Sequence, residues 1–299
     1  MTSLTGDRRT GIARWQSKRL QGATHKVLVY ALLVGGSLLF LAPLAWMLST
    51  SFKRLDDVWT LEMQWIPNPI QWQNYPDALE TLPFFQYVRN SLFVALVSTF
   101  GSAMSAAIVG YGFARFRFPG RDVLFFVLLA TMMIPGTVTF IPVYLLFARI
   151  GWIQTFLPLL VPAFFGAPFN IFLMRQFMMT VPFELDESAR IDGASSLRIF
   201  WQILLPQLKP VIATIAIFSF MGAWNDFFGP LLYLKEEQYT LALGLAYYRA
   251  DQIAGASQGT TNWHYMMAIA TLAMIPNILL FFVAQRYFIQ GITLTGIKA

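Results

Sequence analysis

The chain has 299 residues, of which 57% are hydrophobic and only 12% charged, with a formal net charge of +6. A soluble domain carries about a quarter charged residues, so this chain has too few to cover a water-facing surface and the bilayer is its expected solvent. It has no cysteine, which excludes disulfides and cysteine-ligated metals. Its basic residues are dispersed at the ends of apolar segments instead of forming a patch, so no nucleic acid partner is expected.

Residues 1–26 carry Arg8, Arg9, Arg14, Lys18, Arg19 and Lys26 and read as a cytoplasmic N-terminal tail. A cleaved signal peptide fits less well, because the apolar stretch that follows is long and lacks a small-x-small cleavage site. Six apolar segments are then long enough to cross a hydrocarbon core as helices: 27–48, 87–113, 122–147, 157–177, 209–232 and 263–285. The fold class is therefore an all-α polytopic membrane protein with six transmembrane helices, the last five forming a core over 87–285. An even number of crossings from a cytoplasmic start puts both termini in the cytoplasm, including the tail at 286–299. Arg115, Arg117, Arg121, Arg175, Arg190, Arg198, Lys209, Arg286 and Lys298 then fall inside with the tail. Lys53, Arg54, Arg89, Arg149, Lys235 and Arg249 fall outside. That excess of Lys and Arg inside supports the orientation.

Two extracytoplasmic loops remain, at 49–86 and 235–262. The first is rich in proline and in Trp59, Trp65, Trp72 and Tyr75, which suits an extended path and an interfacial or docking surface. The second contains Gly255, Ala256, Ser257, Gln258 and Gly259, a small, polar stretch. It reads either as a solvated connector or as a substrate- or partner-touching loop.

A polar hairpin at 180–209 interrupts the apolar pattern on the inner side. Its acids cluster at Glu184, Asp186 and Glu187, followed by Asp192, and its apolar residues recur at helical spacing through Leu197, Phe200, Trp201 and Leu204. This predicts two short helices broken at Asp192-Gly193, because glycine accepts the left-handed geometry that ends a helix. The early acids face the positive end of the first helix dipole.

No phosphate-binding G-x-x-x-x-G-K-[ST] motif is present, so the chain is not expected to hydrolyse ATP. His25 and His264 lie on opposite sides of the membrane, no Ser/His/Asp arrangement is visible, and no metal site is expected. Among ionisable residues in the spans, Asp226 stands out, near the outer boundary. An intramembrane acid is a functional-site candidate, against a packing or interface role at that position. Asn170 and Asn277 lie nearer the middle of their spans, and with Asn225 they either hydrogen-bond neighbouring helices or line a path for a hydroxyl-rich solute. Prolines 135, 142, 158, 162, 168 and 276 interrupt the spans, as broken helices along translocation paths do and as simple kinks do.

The hairpin carries a resemblance. Glu187, Ala189, Gly193, Ile203, Leu205 and Pro206 fall in the register of the E-A-A…G…I-x-L-P loop of ABC importer permease subunits, with Ser188 in place of the second-position alanine. Asn90-Ser91-Leu92, the run from Ala114 to Gly120, Met133-Ile134-Pro135, Trp224-Asn225 and Gln285-Arg286-Tyr287-Phe288 are similar to the carbohydrate branch, in particular to the smaller permease subunit of maltose-type importers. The resemblance implies a type I ABC importer transmembrane domain working with a second homologous permease subunit, two ATPase subunits and an extracytoplasmic solute-binding protein. ATP and magnesium would belong to the ATPase subunits, and this chain would need no cofactor of its own. The hairpin would be a coupling helix seated in a cleft of the ATPase, with Glu187, Ala189 and Gly193 as contact residues. The resemblance also places 255–261 toward the binding protein and 291–299 toward the ATPase interface. It puts most sugar contacts on the other permease subunit. The competing reading from the residues alone is a secondary transporter driven by an ion gradient, which would need Asp226.

Overall fold

A computed structural model describes residues 8–60, 62–255 and 261–295, with side chains described for 25–60, 62–255 and 261–285. Among the described residues every regular element is helical. The helices are α1 (Arg8–Ser51), α2 (Leu55–Val58), α3 (Asn74–Glu80), α4 (Phe84–Arg115), α5 (Arg121–Ala130), α6 (Gly136–Arg149), α7 (Leu157–Leu160) and α8 (Pro168–Thr180). They continue with α9 (Glu184–Ile191), α10 (Ser196–Arg198), α11 (Leu205–Gln207), α12 (Lys209–Trp224), α13 (Phe228–Tyr233), α14 (Leu241–Gly255) and α15 (Trp263–Thr295).

Four stretches are long and apolar enough to cross a bilayer, His25–Ser51, Phe84–Arg115, Leu157–Thr180 and Trp263–Gln285, the third of them interrupted at Gly166-Ala167 between α7 and α8. Two more become spans only if a bent helix pair is taken as one crossing. The apolar run expected as a single helix over 122–147 is one of them. Its halves, Arg121–Met133 and Gly136–Arg149, meet at 98°. Pro135 is the cause: it has no N–H to give, and it drives Ile134 into extended backbone with φ −81° and ψ 116°.

The run expected as one helix over 209–232 is also divided. It stops at Trp224, after 16 residues, and resumes as α13. Sixteen residues make about 24 Å of helix, short of a hydrocarbon core of about 30 Å. In a continuous helix the ring of Pro230 would clash with the carbonyl of Asp226. Side chains then take over the freed groups. Asn225 Nδ2 donates to the Met221 carbonyl at 2.7 Å, and Asp226 Oδ1 accepts the Phe228 and Gly229 N–H groups, both at 3.1 Å.

The long helices sort the connections to two ends. At one end, the start of α4 meets residues 237–241 through Gln86, Asn90 and Ser91. Ser51 at the end of α1 meets Tyr75, and Tyr265 at the start of α15 meets Asp77 of α3. At the other end, the C-terminus of α4 meets α9 and α10. Two apolar cores follow this division. One joins Tyr111, Ile171, Met174 and Met178 to Ile199, Phe200 and Leu204 of the hairpin. The second joins Tyr87, Ala95, Phe220 and Trp224 to Leu241, Ala268 and Ile269. Within the first core α4 and α8 pack closely at Gly110, where a Cβ would fall 2.9 Å from Met174 Cγ. Small residues permit such approaches in membrane helices. The outward faces carry exposed large side chains such as Leu33, Phe40, Phe126 and Phe282, a surface compatible with lipid.

Candidate functional site

The hairpin is built from its ends inward. α9 begins with Glu184, Asp186 and Glu187 in its first turn, where carboxylates oppose the positive helix end. It closes with paired bonds: Gly193 N–H donates to the Arg190 carbonyl at 3.0 Å, and Ala194 N–H to the Ala189 carbonyl at 2.9 Å. That is a Schellman closure, and it requires Gly193 at φ +79°. A Cβ at Gly193 would meet nothing within 4 Å, so its backbone angle alone demands glycine. Ser195 then caps the second arm, its Oγ accepting the Arg198 N–H at 3.3 Å. This arm runs through a π-helical turn, Ile199–Leu204, and bends by 78° into α12 at Leu208.

The expected coupling residues divide between the two faces of this hairpin. Ala189 is buried, while Glu187, Ser188, Gly193 and Pro206 are exposed and Ile203 and Leu205 are half-buried. The apolar series splits too: Phe200 and Leu204 enter the core, whereas Leu197 and Trp201 face outward with Ile191, which is 87% exposed. Glu187, Ile191 and Leu197 thus give the hairpin a mixed acidic and apolar outer face. Ile191 carries no sequence signal beyond its apolar character.

Arg115 and Asp186 are the pair that sequence reasoning missed. Arg115 ends α4, and its Nε lies 3.1 Å from Asp186 Oδ2, with both side chains almost wholly buried. Arg115 also donates to the Val181 carbonyl at 2.9 Å and lies over the Phe183 ring. Tyr111, one turn back, donates to the Ser196 carbonyl at 3.1 Å. One helix therefore grips both arms of the hairpin. Burial pushes the Asp186 carboxyl above its ordinary range, against the opposing pull of Arg115 and Arg190.

The polar residues of the spans fall in two places. Asn170 is buried between three helices and donates to Ser102 Oγ at 2.8 Å and Ser219 Oγ at 3.4 Å, which is a packing role. Asn225 and Asn277 come together at the break after α12, with Asn277 Nδ2 3.3 Å from Asn225 Oδ1. Trp224 donates from its indole nitrogen to the Ala273 carbonyl at 3.2 Å. The break thus lies opposite Ala273–Asn277, roughly 15–20 Å along α15 from its start at 1.5 Å per residue. Asp226 lies two residues past the end of α12. That carboxylate is engaged in capping α13, a local structural task.

Gly255 ends α14. Ala256, Ser257, Gln258 and Gly259 lie outside the described residues, as do residues 296–299 of the C-terminal tail. Among the described residues no three His, Asp or Glu side chains cluster as metal ligands would.

Residues 106–294 match the family described as binding-protein-dependent transport system inner membrane component. The chain belongs to that family. This inner-membrane component is 31% identical over 274 residues to the sn-glycerol-3-phosphate transport system permease protein UgpE of Yersinia enterocolitica, covering 89% of this chain and 95% of that one. It is 30% identical over 260 residues to the diacetylchitobiose uptake system permease protein NgcG of Streptomyces coelicolor, covering 86% and 84%. Its fold is the type I ABC importer transmembrane domain. It superposes on a chain of a bacterial ABC transporter involved in the import of the acidic polysaccharide alginate with a TM-score of 0.78 and 25% identity, over 96% of this chain and 100% of that one. A second structure, of a bacterial alginate ABC transporter in complex with an alginate pentasaccharide-bound periplasmic protein, shares the fold at a TM-score of 0.59 and 15% identity, over 93% and 99%.

Proposed function

We propose that this permease forms half of a translocation pathway for a sugar or sugar-like solute and receives the work of ATP hydrolysis through the hairpin. A second homologous permease subunit supplies the other half, two ATPase subunits bind beneath, and an extracytoplasmic binding protein delivers the solute. ATP and magnesium stay with the ATPase subunits. Both termini and the hairpin lie in the cytoplasm.

The observation that carries this reading is the way the hairpin is held. An exposed acidic and apolar face is mounted on a capped turn, and the turn is locked to α4 by a buried ion pair. Displacing that face moves α4 and, through the arm that leads into Lys209, α12. A mechanical link of this kind lets ATP-driven motion alternate the access of the pathway with no chemistry in this chain. The relatives named for glycerol phosphate and diacetylchitobiose support the solute class.

The test is made on the assembled importer in proteoliposomes. Glu187→Lys and Gly193→Pro are expected to abolish solute uptake while membrane insertion remains normal. Wild-type uptake per ATP hydrolysed in both variants would refute the docking role of the hairpin. Because the chain has no cysteine, a single cysteine at Ser188 is expected to react with an impermeant maleimide only from the cytoplasmic side.

A further inference from the structure

The turn between α4 and α5 carries an open cavity of about 390 Å³, lined by Arg117, Phe118, Gly120, Arg121, Asp122 and Val123. Its depth follows from the helices on either side. One apolar stretch ends at Arg115 and the next begins at Arg121, so the turn lies at the edge of the hydrocarbon core.

The cavity has two unlike walls. One is cationic. Arg117 is exposed, and its guanidinium has no partner among the described residues. Arg121 donates from Nε to Asp122 Oδ1 at 2.9 Å and from Nη1 to the Phe116 carbonyl at 3.5 Å, and its other N–H groups are free. Two guanidinium groups thus stand against one carboxylate. Arg175 of α8, held over the Phe125 ring at 4.2 Å, adds its charge nearby.

The other wall is apolar. Val123 lines the cavity, and Phe126 and Val127 follow it at i+3 and i+4, all three exposed. That strip leads along α5 into the depth of the membrane. The order of the two walls, charge at the membrane edge and an apolar strip running inward, matches an anion that carries an apolar tail. A guanidinium fork fits phosphate oxygens in pairs. A headgroup with its own ammonium would bring a cation against two arginines, whereas one with net negative charge meets only attraction.

We propose that the turn between α4 and α5 is a docking site for an anionic phospholipid of the cytoplasmic leaflet. Arg117 and Arg121 hold its phosphate, and an acyl chain lies along Val123, Phe126 and Val127. The choice of leaflet rests on the cytoplasmic placement of the hairpin proposed above, and the headgroup chemistry does not. Arg117 stands two residues beyond Arg115, which grips the hairpin through Asp186. A lipid bound here therefore steadies the end of α4 to which the hairpin is fastened.

The experiment titrates the complete importer, purified in a non-ionic detergent, with dioctanoyl-phosphatidylglycerol or dioctanoyl-phosphatidylcholine. Native mass spectrometry reads the lipid retained on this subunit. Phosphatidylglycerol is expected to bind and phosphatidylcholine not to bind over the same range. Arg117→Gln and Arg121→Gln should each weaken phosphatidylglycerol binding about fivefold, and the two together about thirtyfold. The intact complex in the same spectra shows that each variant folds and assembles. The double variant Arg149→Gln/Arg198→Gln removes as much charge elsewhere and is expected to leave binding within about twofold. Inorganic phosphate at the concentration of the lipid should not displace it. Equal binding of the two lipids overturns the assignment, as does undiminished binding in Arg117→Gln/Arg121→Gln or an equal loss in the control pair. Displacement by phosphate would make the site one for a soluble anion and overturns it too. The importer reading fails on a separate observation, the absence of an ATPase that co-purifies with this chain.

Discussion

The hairpin and the break at Asn225 are both interruptions of helix, and they are held by different kinds of bond. At the hairpin the turn is closed by its own backbone and by a charge from another helix, and Asp186 Oδ1 stays buried without a partner. Gly193 closes α9, Ser195 opens the next arm, and Arg115 reaches from α4 to the Val181 carbonyl and Asp186. At the break, Asp226 and Asn225 bond the nearby backbone, and Asn277 reaches Asn225 from α15 at 3.3 Å. An element that must transmit force benefits from closed bonding, because slack there would absorb the motion.

The comparison is broken most severely at Arg115. Arg115→Met leaves Asp186 buried without its cation, and losing one partner of a buried pair costs about 3–5 kcal/mol. Asp186→Asn should cost a comparable amount, because it leaves the Arg115 guanidinium, which cannot deprotonate, buried with only the Val181 carbonyl beside it. Thermal unfolding of the purified variants measures both losses, and a loss in either of no more than about 1 kcal/mol, the size of a surface pair, would show that the pair does not anchor the hairpin. The pH dependence has a definite sign. A carboxyl raised in the folded state penalises the fold above its folded pKa, and the penalty fades as pH falls toward the ordinary value of 3.8. The Arg115→Met deficit should therefore shrink on acidification.

Gly193→Ala comes next. Placing a Cβ on the left-handed backbone costs about 1–2 kcal/mol, and Gly193→Asn should recover part of it, since asparagine tolerates that region better. Limited proteolysis of the hairpin ranks the three proteins, and an alanine variant as resistant as wild type would remove the geometric demand from Gly193. Trp224→Phe keeps the ring but loses the bond to the Ala273 carbonyl, at about 0.5–1.5 kcal/mol. Its unfolding midpoint should fall measurably while hairpin proteolysis is unchanged, and coupled changes would mean that the two interruptions are not independent. Ser195→Ala is the smallest, at about 1 kcal/mol or less, since the capping bond at 3.3 Å is long. Its effect should appear only as faster cleavage near Ser195.

The hairpin was more legible than the break for reasons of range. Gly193, the acids of α9 and the I-x-L-P ending act on their own neighbours, so their spacing carries the information. Arg115 and Asp186 stand on separate elements, and nothing local to either marks the other as its partner. The break after Trp224 had a local cause in Pro230, yet the apolar run continues through Phe227, Phe228, Leu231 and Leu232 and masks it. Pro135 was visible as an interruption, but a 98° bend instead of a kink depends on what each half packs against.

By itself the sequence determined the solvent, the helical class and the position of the hairpin. Each follows from composition or from short-range backbone chemistry, which act wherever the chain goes. Only the tertiary structure decided that α4 anchors the hairpin, that Asn170 packs between helices, and that Asn225 and Asn277 meet. Those outcomes depend on which helices lie side by side, and hydropathy, which weighs each residue alone, holds no record of neighbours brought together by folding.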